Sequence, residues 1–419
     1  MGHRIGEAYR ENYEGMMRTL RNEKIALALG RATASYRENL RKTLAKHPHT
    51  LALADEVRKI KETSVEHWES LLKQAMDNIA ENHGQAYFAR TADDARRMVA
   101  EIVGTKKLVV KSKSLTCEEL DLRQHLEKIG NVVWETDLGE LIVQLLDEAP
   151  MHIVVPALHV SKEDVADLFS KAMGKRVEAD AETEVAAARE FLRQRFIEAD
   201  VGISGANVAS ADTGSILIIE NEGNARLVTG FPPVHVAVVG IEKLTPTLSD
   251  SFKIAEATWR YDAYSAPSYL NLISGPSKTG DIEKTTTYGA HGPKEMHVVF
   301  VDNGRSELAK DPALKEVLYC LRCGGCMYEC PVFALVGGKF GYKYFIGYGA
   351  AWIAHVANLA RAAPVAYTCL RCGRCTERCP VKIDTEKVIS HMRSILVRGY
   401  DRFAELYTAG RDLTAGTSR

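Results

Sequence analysis

One spacing constrains this chain more than any other, and it occurs twice near the C-terminus. Cys320, Cys323, Cys326 and Cys330 precede Pro331, and Cys369, Cys372, Cys375 and Cys379 precede Pro380; both runs read C-x2-C-x2-C-x3-C-P. Cysteines two residues apart can present several sulfurs to one metal face, and thiolate is the soft ligand that iron in a four-sulfur field takes. In doubled runs of this kind three cysteines hold one cubane cluster and the fourth ligates the other. The pattern therefore predicts one [4Fe-4S] cluster on Cys320, Cys323, Cys326 and Cys379, and a second on Cys369, Cys372, Cys375 and Cys330. Each proline stops its helix and turns the fourth cysteine away from its own triplet. Structural zinc is the competing reading, but it takes two cysteine pairs separated by a loop rather than repeated triplets. A disulfide framework explains the triplets no better. The expected chemistry is electron transfer.

Composition narrows the setting. A chain of 419 residues with Lys+Arg 54 against Asp+Glu 55 carries no basic field that would recruit nucleic acid. Eight of its nine cysteines lie in the two motifs. The ninth, Cys117 in KSLTCEEL, reads as a small, partly buried residue at a helix start. Cluster thiols must stay reduced before loading, and the N-terminus shows no apolar signal core, so a cytoplasmic location is expected. Tyr344 to Ala360 carries no formal charge but is short for a membrane span and contains His355 and Asn358. It is expected to be buried or to face a partner, with no transmembrane span.

The chain falls into four stretches. Residues 1–84 read as charged helices forming a solvated layer, with Lys24–Leu44 and Thr50–Ile79 broken at His47-Pro48. Residues 85–306 alternate β-branched runs with helical patterns, which predicts a mostly parallel open sheet with helices on its faces. Strands are expected at Leu108–Lys111, Val132–Glu135, His152–Pro156, Val201–Ile203, Ile216–Glu220, His235–Val239 and His297–Val301, and helices at Cys117–Ile129, Leu138–Leu146, Lys162–Met173 and Thr183–Glu198. Residues 307–400 form an α-helical, ferredoxin-like two-cluster domain, entered by a short helix at Ala313–Tyr319 and closed by one at Glu386–Arg398. Residues 401–419 read as a tail.

Open α/β sheets bind ligands at the carboxyl ends of their strands. Lys111 and Lys113, His159, Thr213, Glu220 with Asn224 and Arg226, and Arg305 are expected near such ends, where paired cations and amides could seat a carboxylate or phosphate. Each has an ordinary reading as a solvated charge, a loop histidine or one half of an ion pair. Their convergence is what makes them candidates. No GxGxxG or P-loop pattern opens a βα unit, so a standard nucleotide site has no support.

The strings VVKSKSL, ETDLGE, HIVVPALH, DTGSI, NEGNARLVT and GPKEMHVVFVDNGRS, together with the two cysteine runs, resemble the lactate utilization protein B family. The α/β part is similar to the LUD domain, and the likeness runs from roughly Gly84 to Lys387. The resemblance implies a fold like the isomerase and CoA-transferase α/β domains. It also implies an iron–sulfur subunit that works with a cysteine-rich CCG-domain protein and a second LUD-domain subunit to oxidise L-lactate to pyruvate; a flavoprotein partner, and another small 2-hydroxy acid oxidised to its 2-oxo acid, are the alternatives. The alternative implied role is a pure electron relay or scaffold linking such a partner to another redox complex, with contact at a membrane surface. Glu220-Asn221 resembles the glutamate of CoA-transferases, and that role would require its carboxylate to be poised in a pocket.

Overall fold

The computed structural model describes residues 2–399, with side chains from 6 to 398, so the predicted tail at 401–419 lies outside the described residues. The chain divides into two units. One comprises residues 59–260 and 264–303, the other residues up to 58, 261–263 and from 304 onward.

The first unit is built on parallel strands. Twelve strands occur among the described residues: β1 Gln85–Ala89, β2 Leu108–Lys111, β3 Val132–Glu135, β4 Val201–Ser204, β5 Val208–Ser210, β6 Ser215–Glu220, β7 Val234–Gly240, β8 Leu244–Thr245, β9 Tyr269–Ile273, β10 Lys278–Thr279, β11 Thr287–Tyr288 and β12 Glu295–Val301. The main sheet runs β1-β12-β7-β4-β2-β3 with every pairing parallel, as the βαβ rhythm predicts. Both faces are covered, so its strands are apolar on alternate residues in both directions. Val109, Val133, Ile203, Val236, Val238 and Val299 pack with the helices Ala92–Val103 and Leu122–Lys128. From the opposite face Ala237, Val239, Val298 and Phe300 meet Leu71, Leu72, Ala75 and Ile79 of the helix Trp68–Glu81.

A second sheet, β8-β5-β6-β9, mixes parallel and antiparallel pairs. Its strand β9 carries no strong β-branched run and gave no sequence signal. The predicted strand at His152–Pro156 is absent; the segment is a series of bends and turns. The ring nitrogen Nδ1 of buried His152 accepts the backbone N–H groups of Val154 and Val155, which removes the donors a ladder would need. The predicted helix at Cys117–Ile129 is two helices, Leu115–Glu119 and Leu122–Lys128, because Asp121 adopts a left-handed conformation with φ 48° between them.

The second unit is helical. Asn22 caps the helix Glu23–Lys46 by accepting the N–H groups of Lys24 and Ile25, and His47-Pro48 ends it. This helix does more than form a solvated layer. Tyr36 stacks on Tyr328 with ring centroids 4.5 Å apart and donates to the carbonyl of Tyr261 at 2.7 Å. Neighbouring Arg37 pairs with Glu329 at 2.9 Å. The uncharged stretch from Tyr344 to Ala360 contains the whole of the largely buried helix Ile346–Val356 and the start of Leu359–Thr368. Trp352 is fully buried there and stacks on Tyr344 at 4.8 Å. Among the described residues no helix is long and apolar enough to cross a membrane.

One position tests the packing of the parallel sheet. A Cβ on Gly202 in β4 would lie 1.9 Å from the carbonyl oxygen of Val228, so the strand and the helix Asn224–Gly230 could not keep their separation. Gly202→Ala is expected to destabilise the α/β unit by about 1–3 kcal/mol in denaturant unfolding, the usual cost of overpacking. An unchanged midpoint and slope would contradict this packing.

Candidate functional site

The cysteine-bearing loops repeat their backbone as faithfully as their sequence. In both copies of C-L-R-C-G the arginine is left-handed, Arg322 at φ 63° and Arg371 at φ 54°, and so is the glycine, Gly324 at φ 76° and Gly373 at φ 72°. The curl points the arginine N–H back at the first sulfur: Arg322 to Cys320 Sγ at 3.4 Å and Arg371 to Cys369 Sγ at 3.5 Å. Each glycine then caps a single helical turn, Gly325–Glu329 or Arg374–Arg378, that carries the third cysteine. Cys330 and Cys379 terminate those turns in extended conformations, at φ −78°, ψ 119° and φ −68°, ψ 126°. The following proline disfavours helical geometry at the residue before it. The fourth cysteine of each run is thereby thrown out of its own loop.

It arrives in the other one. Cys369, Cys372, Cys375 and Cys330 border one cavity, with Pro331, Ile346 and Thr385. Cys320, Cys323, Cys326 and Cys379 border another, with Tyr348 and Arg378, and Cys375 reaches the edge of both. Tyr348 Oη lies 3.5 Å from Cys320 Sγ. Burial, with neighbouring sulfurs adding to it in each case, pushes the thiols of Cys330 and Cys379 up to about 12, against the opposing pull of backbone N–H groups. Two sulfurs this dehydrated need positive charge beside them before they can ionise, which is what iron supplies. The cysteines that border the two cavities fit two iron–sulfur clusters.

The α/β candidates fare unevenly. Lys111 closes β2 and is fully buried, donating to Glu135 at 2.8 and 2.9 Å across the β2–β3 register and to Glu118 at 3.0 Å. Burial alone would depress the ammonium, but those carboxylates hold it well above its ordinary value. Burial pushes Glu135 up to about 7 against the pull of Lys111. Glu140 rises to about 8 through burial and then the charges of Glu118 and Glu135. Glu222 rises to about 7 through burial and nearby Asp137. Cys117 is fully buried here too, its thiol pushed up to about 11 by burial.

Lys113 donates to the carbonyl of Val154. Asn224 donates to Thr136 Oγ1 at 3.2 Å, which brings the turn after β6 to the end of β3. Glu220 is not poised for covalent chemistry. Its carboxylate accepts the N–H groups of Ala225 and Arg226 at 2.8 and 2.9 Å and the amide of Asn271 at 2.7 Å. Arg226 lies over the ring of Tyr269 at 4.3 Å. His159, left without its strand, pairs with Glu148 at 3.0 Å. Thr213 sits in the β5–β6 turn, its carbonyl accepting from Asn82 at 2.8 Å. Arg305 belongs to the helical unit and is fully buried near Trp352.

The chain thus brings together Lys111, Lys113 and Asn224 with three acids, Glu118, Glu135 and Glu140, that were not singled out from sequence. The signal for Glu135 and Glu140 was an acidic residue closing the apolar run VVWE, followed by another acid five residues on; Glu118 had none.

Glu140 gives a pH test. Its folded carboxyl holds a proton to about 8, whereas the unfolded one releases it near 4.5, so folded stability is full below the lower value and falls as pH rises through the higher. Glu140→Gln removes that loss. The variant is expected to gain on the wild type by about 1–3 kcal/mol between pH 5 and pH 9. Parallel stability profiles would contradict it.

Comparison with known proteins agrees with this division. Residues 72–301 match the LUD domain and residues 316–383 a 4Fe-4S dicluster domain. A "Lactate utilization protein B" of Bacillus licheniformis is 39% identical over 326 residues, 75% of this chain and 66% of that protein. The protein of that name from Bacillus subtilis is 39% identical over 299 residues, 70% of this chain and 60% of that protein. The one from Geobacillus kaustophilus is 37% identical over 351 residues, 83% of this chain and 71% of that protein. The matched region thus spans about two thirds of these relatives' length.

Proposed function

The chain belongs to the lactate utilization protein B family, and we propose that it is the iron–sulfur electron-transfer subunit of a multi-subunit oxidoreductase that converts L-lactate to pyruvate. The observation that carries this reading is the pair of four-cysteine cradles, each built from three sulfurs of one run and one of the other. Lactate oxidation releases two electrons and two protons, and two [4Fe-4S] clusters in these cradles would take such electrons singly.

The chain's own part is to hold and tune. Cys320, Cys323, Cys326 and Cys379 would ligate the first cluster, and Cys369, Cys372, Cys375 and Cys330 the second. The N–H groups of Arg322 and Arg371 aim at sulfur and offset its negative charge. Tyr348, near Cys320, and Thr385, bonded to Cys375, limit how far the sulfurs can shift. The C–H bond of lactate breaks on a partner, either a CCG-domain protein, a second LUD-domain protein or a flavoprotein, in a reducing cytoplasm.

A second reading is favoured by one specific observation. Charged candidates of the α/β unit are engaged within the fold: Lys111 with Glu118 and Glu135, His159 with Glu148, and Glu220 with three donors. That commitment suits a scaffold that seats a partner, with the chain as a relay between redox complexes.

Anaerobically isolated protein is expected to hold about eight irons and eight acid-labile sulfides, the content of two four-iron sites. Cys330→Ser should damage the cluster of Cys369, Cys372 and Cys375 more than that of its own triplet, read by the loss of one paramagnetic signal; loss of the other signal refutes the crossed ligation. In complex with co-purified native partners, L-lactate should bleach the visible absorption of the clusters. Clusters that dithionite reduces but L-lactate does not would leave only the relay reading.

A further inference from the structure

The two C-L-R-C-G loops share a backbone but not an environment. In the first copy Leu321 is 5% exposed, and Arg322 is held over the rings of Tyr344 and Trp352 at 4.6 and 4.5 Å. In the second copy Leu370 is 64% exposed, Arg371 and Cys372 are exposed, and Arg371 has no ion pair among the described residues. Folding does not require a bare leucine at this position, since the twin loop buries its own. Leu370, Arg371 and Cys372 all border the second cradle, together with Pro331 and Val332.

The segment that carries this rim has one sign of charge in excess. Among its exposed side chains from Leu370 to Lys387, Arg371, Arg374, Lys382 and Lys387 are cationic, Arg374 being shared with Glu329, against Glu377 and Glu386; Arg371 and Glu386 border the cradle itself. An apolar centre flanked by arginine is the composition of a docking face, and its surplus charge selects an oppositely charged partner.

We propose that the rim of the second cradle, formed by Leu370, Arg371 and Cys372, is the docking face for a one-electron redox protein with an acidic surface, and that this chain exchanges electrons with it there. The first cradle is the inner of the two. Each encounter moves one electron: a cluster of this chain is oxidised, the partner's acceptor is reduced, and no bond or proton changes hands. The proposal rests on the two-cluster reading, and the tests separate the two.

The full-length protein, checked first for both clusters by iron content and paramagnetic signals, is reduced with dithionite and frozen with aqueous chromium(III) oxalate as relaxing agent. The agent should speed relaxation mainly of the signal that Cys330→Ser removes. Equal effects, or a larger effect on the signal that Cys330→Ser keeps, overturn the assignment of the port, whereas absence of iron overturns the two-cluster reading instead. Ferricyanide, an anionic one-electron oxidant, then probes the charge. Arg371→Glu should slow oxidation roughly 3- to 10-fold at low salt, with the difference fading at high salt, and should not slow hexaammineruthenium(III). Should Arg371→Glu lose a cluster, Lys382→Glu carries the same expectation, and Arg31→Glu, exposed on the helix Glu23–Lys46 and outside both cysteine runs, serves as the control. Rates unchanged by rim charge, or changed equally by Arg31→Glu, overturn the docking face. A dimer of the wild type that Leu370→Glu dissolves would give this face to a second copy and overturn the acidic partner.

Discussion

The helical unit depends on a constraint that precedes any metal: a cysteine followed by proline cannot continue a helix. Cys330 and Cys379 each end one helical turn in extended geometry, and each then lies among the three sulfurs of the other run. Because the exchange is reciprocal, neither cradle can be completed without the other half of the unit. The helices Ile346–Val356 and Leu359–Thr368, between the two runs, set the span that the exchange must bridge. The N-terminal helices belong to the same construction, since Tyr36 and Arg37 pack on Tyr328 and Glu329, in the turn that delivers Cys330.

Glu329 shows how that turn is held. It is a largely buried acid that also meets Arg378 at 3.2 Å and Arg374 at 3.5 Å, both in the matching turn of the second run. One carboxylate thus ties an N-terminal helix and both cysteine turns together. A buried charge with several partners specifies an arrangement more than it stabilises one. In the α/β unit the charges are arranged differently. One buried lysine faces two acids directly with a third nearby, so a proton is retained among Glu135 and Glu140 near neutral pH. That is how a parallel sheet accommodates buried polar groups at its carboxyl edge.

What could be read from the sequence follows from locality. The cysteine quartets are legible because ligand spacing is a short-range property, and the parallel sheet is legible because its buried strands are β-branched runs. No strand forms at His152–Pro156 because a histidine ring nitrogen, invisible to periodicity, takes the donors of Val154 and Val155. Strand β9 carries no sequence signal because pairing with β6, and not propensity, makes it a strand. Among the site candidates, Lys111 and Asn224 meet neighbours across strands, while Glu220 turns out to be a helix cap. The acids around Lys111 are not legible because a glutamate looks solvated until the fold buries it, as it does Glu135 and Glu140. The contrast between Leu321 and Leu370 is illegible for the same reason: identical five-residue strings differ only in what packs on them.

Crossed ligation of two iron cubes is the claim on which the functional account stands. Anomalous scattering at the iron edge, from crystals grown without oxygen, tests it most directly. The account predicts two iron peaks, one bounded by Cys320, Cys323, Cys326 and Cys379 and the other by Cys369, Cys372, Cys375 and Cys330. Peaks each bounded by the four cysteines of a single run, or scattering from zinc in place of iron, would contradict it.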